Sequence, residues 1–263
     1  MKPCEMLQRR TEVVENVRLA ESTFRIRFRC PEIAERIRPG QFLMVRLPGR
    51  TDPLLARPFA LYDIVDDTID VVYLVVGKMT KLLADVTSGE SLDVWGPLGN
   101  GFLDVGTPDH VTLVAGGIGQ TPFLAYVREL LGKRGVPKVS LYYGVRSSAF
   151  VAGVEAFREA GATVHLSSDD GSIGYHGFVT QLLASHRPTG PIIACGPEPM
   201  LHAVAKLAAE WNTPCQVSLE TPMACGIGIC FSCVTKVQQA DGEWDYKRVC
   251  VDGPVFDASK LVW

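Results

Sequence analysis

The sequence lacks the marks of several large classes of protein. No apolar stretch approaches the roughly 18–20 residues that a membrane-spanning helix requires. The first ten residues, Met1 to Arg10, are polar and contain no apolar core of an export signal. There is no run rich in lysine and arginine, and a net charge of −3 leaves no electrostatic footprint for nucleic acid. Internal repeats and low-complexity tracts are absent too. The dinucleotide fingerprint G-x-G-x-x-G is also missing. These gaps point to a soluble, cytoplasmic chain with neither a nucleic acid nor a membrane as partner.

What is present is a balance of 47% hydrophobic and 21% charged residues over 263 positions. That suits a folded protein of two domains with a small appendage. Eight cysteines stand at 4, 30, 195, 215, 225, 230, 233 and 250. Four of them crowd into the last 39 residues, and three of those lie within nine. A disulfide scaffold would spread them through a short secreted chain, so a metal site in a reducing compartment explains the clustering better.

Residues from about 11 to 104 read as β-rich. Arg25 to Arg29 alternates polar and apolar side chains, as does much of Phe42 to Leu47, and Asp70 to Val76 is β-branched. Turn signals at Pro39-Gly40, Pro48-Gly49, Ser88-Gly89 and Gly96-Pro97 separate these runs. Short strands so spaced suggest a small barrel, with one helix near Thr80 to Asp85. After Gly106 the pattern changes. His110 to Ala115, Val139 to Tyr143, Thr163 to Ser167 and Pro191 to Cys195 each precede a helical stretch. The helices are placed at Pro122 to Leu131, Val154 to Glu159, Val179 to Ser185 and Pro199 to Trp211. That alternation predicts an α/β domain with a parallel sheet. The last 50 residues are too few to bury a core alone, and a metal centre would supply what the core cannot. The expected division is 1–105 for the barrel, 106–212 for the α/β domain and 213–263 for the appendage.

The most specific motif is C-x4-C-x2-C at Cys225, Cys230 and Cys233, with sixteen residues between Cys233 and Cys250. Its first three cysteines have the spacing of the plant-type [2Fe–2S] loop. Two irons need two thiolates each. A short loop delivers three, and a hairpin over Val234–Val237 and Trp244–Val249 can return the fourth. Gly226 and Gly228 allow positive φ and let backbone N–H groups face sulfur. Zinc and a chance grouping are the alternatives. Structural zinc favours two C-x2-C-like pairs, so the triplet is unusual for it.

Weaker signals lie upstream. Gly116-Gly117-Ile118-Gly119-Gln120-Thr121-Pro122 joins a buried strand to a helix, where glycines admit a phosphate; a tight turn is the plainer reading. Cys195-Gly196-Pro197 ends another strand, and open α/β sheets bind ligands at such carboxyl ends. Cys195 itself reads either as a small buried residue or as a neighbour of a nicotinamide. Arg57-Pro58-Phe59-Ala60 places an arginine able to fork onto a pyrophosphate, or simply a surface arginine before a strand. Gly77 to Thr80 is a binding turn or a helix cap.

The order of these parts resembles the ferredoxin reductase superfamily, in which a barrel binds flavin and an α/β domain binds a pyridine nucleotide. Within it, Glu220 to Cys233 (E-T-P-M-A-C-G-I-G-I-C-F-S-C) and Gly96 to Phe102 (G-P-L-G-N-G-F) are similar to the electron-transfer subunits of dihydroorotate dehydrogenase B. Asp169-Asp170-Gly171-Ser172 and Gly177-Phe178-Val179-Thr180 extend the likeness to nearly the whole chain. The resemblance implies a multidomain β plus α/β protein: an antiparallel FAD barrel, a Rossmann-like NAD domain and a C-terminal [2Fe–2S] module.

For FAD the resemblance implies Arg57, Pro58, Phe59, Ala60, Val72, Tyr73, Leu74, Met79 and Thr80. For NAD it implies Gly116, Gly117, Gly119, Cys195 and Gly196. The cluster falls to Cys225, Cys230, Cys233 and Cys250. Ala60 departs from a usual serine, Met79 from a usual glycine, and Thr221-Pro222 from a charged or bulky pair. No catalytic residue is assigned to this chain. The implied partner is an FMN-containing dihydroorotate dehydrogenase catalytic subunit, two of each chain forming a heterotetramer that serves UMP synthesis. A related reductase subunit for a hydrogenase or a ferredoxin–NADP transhydrogenase is the alternative, and a non-catalytic iron–sulfur or zinc scaffold is a third. Arg146-Ser147-Ser148, after the second α/β strand, would welcome the 2′-phosphate of NADP and leaves the nucleotide open.

Overall fold

The computed structural model describes residues 6–263; Cys4 lies outside them. Seven strands form the first sheet: β1 (Leu7–Ala20), β2 (Thr23–Arg29), β3 (Phe42–Arg46), β4 (Arg57–Ala60), β5 (Asp63–Val65), β6 (Thr68–Leu74) and β7 (Ser91–Leu98). They run antiparallel in the order β4-β3-β7-β1-β2-β6-β5. The alternation seen in the sequence sets the register: Ile26 and Phe28 of β2 face a core shared with Val13, Leu43, Val71 and Val94. The arginines between them face outward, where Arg27 forks onto the carboxylate of Asp70 at 2.6 and 2.8 Å. A short helix α1 (Pro31–Ala34) and the helix α2 (Lys78–Ala84) close the ends of this sheet.

The second sheet holds β8 (His110–Gly116), β9 (Lys138–Val145), β10 (Thr163–Ser168), β11 (Tyr175–His176), β12 (Ile192–Cys195) and β13 (Cys215–Ser218). These are parallel in the order β11-β10-β9-β8-β12-β13. Helices α3 (Leu124–Arg128), α4 (Val154–Glu159), α5 (Val179–His186) and α6 (Glu198–Glu210) pack on it. The helix expected from Pro122 starts later. Gly117–Phe123 winds as a 3-10 helix, α3 occupies one turn, and a wider turn over Glu129–Lys133 ends with Arg134 N donating to Glu129 O. Proline and glycine disfavour a regular α start here.

Two strands of the C-terminal segment went unread in the sequence. β13 is four residues long, and after the hairpin of β14 (Val234–Gln238) and β15 (Trp244–Arg248) the chain returns as β16 (Val255–Asp257) to pair antiparallel with β13. Both lie after residue 212, so the C-terminal segment contributes two strands to the parallel-sheet layer.

Three seams fix the layers. Ala125 N donates to Tyr62 O, Glu21 N donates to Ala149 O, and Arg128 reaches buried Asp63 at 3.1 Å. Buried Gln216 accepts from Leu103 N and donates to Leu103 O. Asn100, from the G-P-L-G-N-G-F segment, grips both the N–H and the carbonyl of Val255.

An aromatic and histidine cluster lies on the α/β sheet. Tyr142 stacks on His165 with centroids 4.6 Å apart, and His186 meets both rings edge-on. Burial first, then His186 and Lys138, lowers the pKa of His165; burial first, then Lys138 and His165, lowers that of His110. Both rings are thus neutral in the fold at a pH where the unfolded chain already takes up protons, below about 6.5. Their contribution is complete above that pH and is lost as the pH falls. Denaturant midpoints measured from about pH 7.5 to about pH 5 should therefore decline, and His165→Gln should make the decline shallower. A variant as steep as the wild type rules this source out.

Candidate functional site

A cavity of about 570 Å³ opens between the barrel and the segment Ser218–Met223. Every barrel residue singled out from sequence borders it: Arg57 to Ala60, Val72 to Leu74, Met79 and Thr80. β4 presents Arg57 and Phe59, and the end of β6 presents Tyr73 and Leu74. The ring of Phe59 tilts against Tyr73 at 5.8 Å, and the Tyr73 hydroxyl donates to Asn16. Arg57 donates through Nη1 to the carbonyls of Leu55 and Ala56, which steadies the guanidinium at the rim. Thr80 caps its own helix by accepting from Val76 N and Gly77 N at 3.1 Å. Met79 is buried in the barrel core at the edge of the cavity. Ala60 brings only a methyl group. An apolar wall with a cationic rim suits a flat ring bearing a pyrophosphate, and the buried hydroxyl of Thr221, unpartnered in the protein, is a further polar atom there.

A second cavity of about 750 Å³ lies at the carboxyl ends of β8, β9, β10 and β12. Gly116, Gly117 and Gly196 border it. Gly117 has φ +55° with open space where a Cβ would stand, which makes it the point where a phosphate can approach the backbone. Gly116 and Gly196 lie against each other, and a Cβ on Gly196 would sit 3.0 Å from Gly116 N. Gly119 does not border the cavity. It packs on β12, where a Cβ would come within 2.2 Å of Cys195 O, so its role is close strand contact. Gln120 follows it fully buried, with both amide atoms unpartnered.

Cys195 borders the barrel-side cavity rather than the larger one. Burial, then the nearby carboxyl of Glu220, pushes its thiol pKa well up. Its Sγ lies 3.9 Å from Glu220 Oε1. Glu220, quoted in the sequence only as the start of a motif, stands between the cavities together with Leu74, Val76 and Ile118. By area it counts as exposed, because it borders both spaces. Protein closes round the carboxyl group itself, and that burial raises its pKa. No periodicity could have singled it out; its position depends on β13 pairing with β12.

Three residues beyond Pro222, also on the cavity wall, the chain enters the cysteine loop. Gly226 and Gly228 have φ +72° and +82°, as expected, and each also lacks room. A Cβ would stand 2.6 Å from Met44 of the barrel at Gly226 and 2.6 Å from Val251 at Gly228. Phe231 holds φ +56° as well, an unusual backbone state for a bulky residue. Cys233 and Cys250 are buried, Cys225 is half-buried and Cys230 is exposed. Val249 N donates to Cys233 O at 2.7 Å, so the hairpin returns Cys250 beside Cys233. Ile227 N points at Cys225 Sγ from 3.4 Å. Hydrogen bonds from Ser232, then from Cys225, lower the Cys230 thiol to about 6, while burial, then Cys233, pushes Cys250 up to about 12. The four sulfurs are therefore disposed as two pairs, Cys225 with Cys230 and Cys233 with Cys250. Among the described residues no three His, Cys, Asp or Glu side chains gather round one point. An all-sulfur set in two pairs suits two irons.

Comparison with known proteins agrees along the chain. Residues 10–102 match the oxidoreductase FAD-binding domain and 113–206 the oxidoreductase NAD-binding domain. Residues 220–262 match the iron–sulfur cluster binding domain of dihydroorotate dehydrogenase B. The dihydroorotate dehydrogenase B (NAD(+)) electron transfer subunit of Geobacillus kaustophilus is 40% identical over 263 residues, covering 98% of this chain and all of that one. Its counterpart in Desulforamulus reducens is 35% identical over 93% of this chain and 94% of the relative. Among solved structures, a chain of the NADH-dependent reduced ferredoxin–NADP oxidoreductase superposes with a TM-score of 0.84 at 30% identity, over 96% of this chain and 90% of that one. A ferredoxin reductase of carbazole 1,9a-dioxygenase shares the fold, with a TM-score of 0.70 over 81% of this chain and 68% of that one. With FAD-binding, NAD-binding and iron–sulfur domains in this order, the chain belongs to the family of electron transfer subunits of dihydroorotate dehydrogenase B.

Proposed function

We propose that this chain carries electrons between NAD and an FMN-containing subunit that oxidises dihydroorotate to orotate, in UMP synthesis. The observation that supports this reading most is contiguity. The two cavities share Leu74, Val76, Ile118 and Glu220 as a wall, and the barrel-side cavity is bounded by the segment that leads into the cysteine loop. A nicotinamide gives or takes two electrons as hydride, a [2Fe–2S] centre takes one, and a flavin between them does both.

In this reading Arg57 and the helix start at Thr80 hold the FAD pyrophosphate, and Phe59, Val72, Tyr73 and Leu74 wall the flavin ring. Gly117 admits the NAD pyrophosphate, with Gly116, Gly119 and Gly196 keeping β8 and β12 close behind it. Cys195 and Glu220 stand where a nicotinamide would meet the flavin. The paired thiolates Cys225/Cys230 and Cys233/Cys250 hold the cluster. Cys230 is the exposed member, beside Ile229 at 74% and Phe231 at 62% exposure, so a partner would meet an uncharged apolar loop there. We place the functional divisions at 1–105, 106–212 and 213–263. The last unit lends β13 and β16 to the second. The assembly is a cytoplasmic heterotetramer, and the dihydroorotate chemistry resides in the partner.

A second reading, a reductase subunit serving another redox partner, draws on the solved relative at TM-score 0.84. Co-purification with cofactor analysis separates the two. The first reading expects FAD, two irons per chain and an FMN subunit that together support NAD⁺-dependent dihydroorotate oxidation. A different partner, or none of that activity on mixing, would sink it.

Two variants test the route. Cys230→Ser should leave NADH-driven reduction of a two-electron dye near the wild-type rate while abolishing transfer to the partner. Loss of both activities together would contradict the order of sites. Gly228→Ala, which puts a methyl group into Val251 at positive φ, should cost about 1–3 kcal/mol locally and lower the iron bound per chain. Full iron content with unchanged melting would contradict it.

A further inference from the structure

Five hydroxyl-bearing residues border the barrel-side cavity: Tyr73, Thr80, Thr121, Ser218 and Thr221. Three are committed within the protein. The Tyr73 hydroxyl donates to Asn16, Thr80 caps its helix, and Ser218 hydrogen-bonds the Cys195 thiol. Thr121 belongs to the glycine turn. Thr221 differs from all of them. Its side chain is half-buried, and its Oγ1 is enclosed with no hydrogen-bond partner among the described residues. Enclosed polar atoms are nearly always paired, because leaving one unpaired forfeits its hydration for nothing.

The segment itself explains why the hydroxyl is left over. Threonine hydroxyls commonly bond to nearby backbone N–H groups. Pro222 has no N–H to offer, and Ala224 N donates to Ser232 Oγ at 3.2 Å. The segment is also stiff. Leu219 N is tied to Pro254 O at 2.9 Å, Pro222 holds Thr221 toward extended backbone, and β-branching leaves Thr221 few rotamers. The hydroxyl is thus set at the cavity wall by the scaffold.

The facing wall lacks such a group. Ala60 ends β4 on the barrel side of the same cavity, and its methyl group neither donates nor accepts. The cations are engaged as well, Arg57 with the carbonyls of Leu55 and Ala56 and Lys78 with Asp52. A flavin ring carries nitrogens and carbonyl oxygens along its edge, and a ring nitrogen that accepts a hydrogen bond when oxidised donates one when reduced. A hydroxyl serves both states by turning its proton, whereas an amide N–H or a guanidinium only donates.

We propose that the Thr221 hydroxyl is a hydrogen-bond partner of the flavin ring edge, supplying from the segment Ser218–Met223 the hydroxyl that β4 lacks at Ala60. This rests on the assignment of the barrel-side cavity to FAD. The test uses the full chain carrying its own flavin, as wild type, Thr221→Val, Thr221→Ala and Thr221→Ser. FAD affinity is measured by equilibrium ultrafiltration, with the visible flavin spectrum and the flavin midpoint potential recorded alongside. Valine keeps the branching and removes only the hydroxyl. Thr221→Val and Thr221→Ala should weaken FAD roughly two- to tenfold, the range for one net hydrogen bond, and should move both the visible band and the potential. Thr221→Ser should keep all three readouts near the wild type.

A hydroxyl satisfied by an internal water, or one that matters only for packing, would leave band and potential unmoved in Thr221→Val whatever happens to affinity. That result overturns the proposal. So does a serine variant that behaves like the valine variant, since the hydroxyl is then not the group that counts. In both cases a wild type that binds FAD leaves the cavity's assignment standing. A wild type that neither retains FAD nor takes it up when it is added overturns that assignment as well.

Discussion

Contact between two cavities is the constraint on which the rest of this chain depends. Leu74 and Val76 come from the barrel, Ile118 from the glycine turn and Glu220 from the end of β13, and together they form one partition. The partition exists only while barrel and α/β sheet stay docked. The carbonyl of Tyr62 holding Ala125 N, the Asp63–Arg128 pair and the two bonds of Gln216 hold that docking. A small rotation at the seam would separate the two spaces without unfolding either sheet. These few polar contacts therefore matter more to the protein than their modest net energies suggest.

The partition also carries its own chemistry. Cys195 and Glu220 sit 3.9 Å apart with both pKa values raised by burial. In each case burial works against the charged form.

Much of this was legible in the sequence where the signal was local. The C-x4-C-x2-C spacing with Gly226 and Gly228 marks the loop, and the alternation of β2 with the β-branched run of β6 marks the barrel. The continuous apolar runs of β8, β9 and β12 mark the parallel sheet. The signal failed where position comes from pairing between distant segments. β13 and β16 are short, and their place is set by register with β12 rather than by composition. Glu220 inherits that problem, since it follows β13. Cys195 and Gly119 were assigned to nucleotide binding from motif alone. The structure places Gly119 against the backbone of Cys195, and Cys195 on the barrel side, because strand-to-strand approach also demands small residues. Arg146 illustrates the converse. Its sequence neighbours suggested a phosphate site, and in the fold Ser148 N donates to Ser172 Oγ.

The pairing of β16 with β13 has a consequence for how the molecule is made. Residues 219–254, with the cysteine loop and the hairpin, form an excursion between two neighbouring strands, which lie about 5 Å apart in a sheet. The second sheet is thus incomplete until Val255–Asp257 has been synthesised. A ribosome-bound chain exposes the edge of β13 throughout that interval, and the cysteines emerge before the edge is covered. Closure of the nucleotide layer and gathering of the four thiols thus fall together, after the cysteine loop and hairpin have been made.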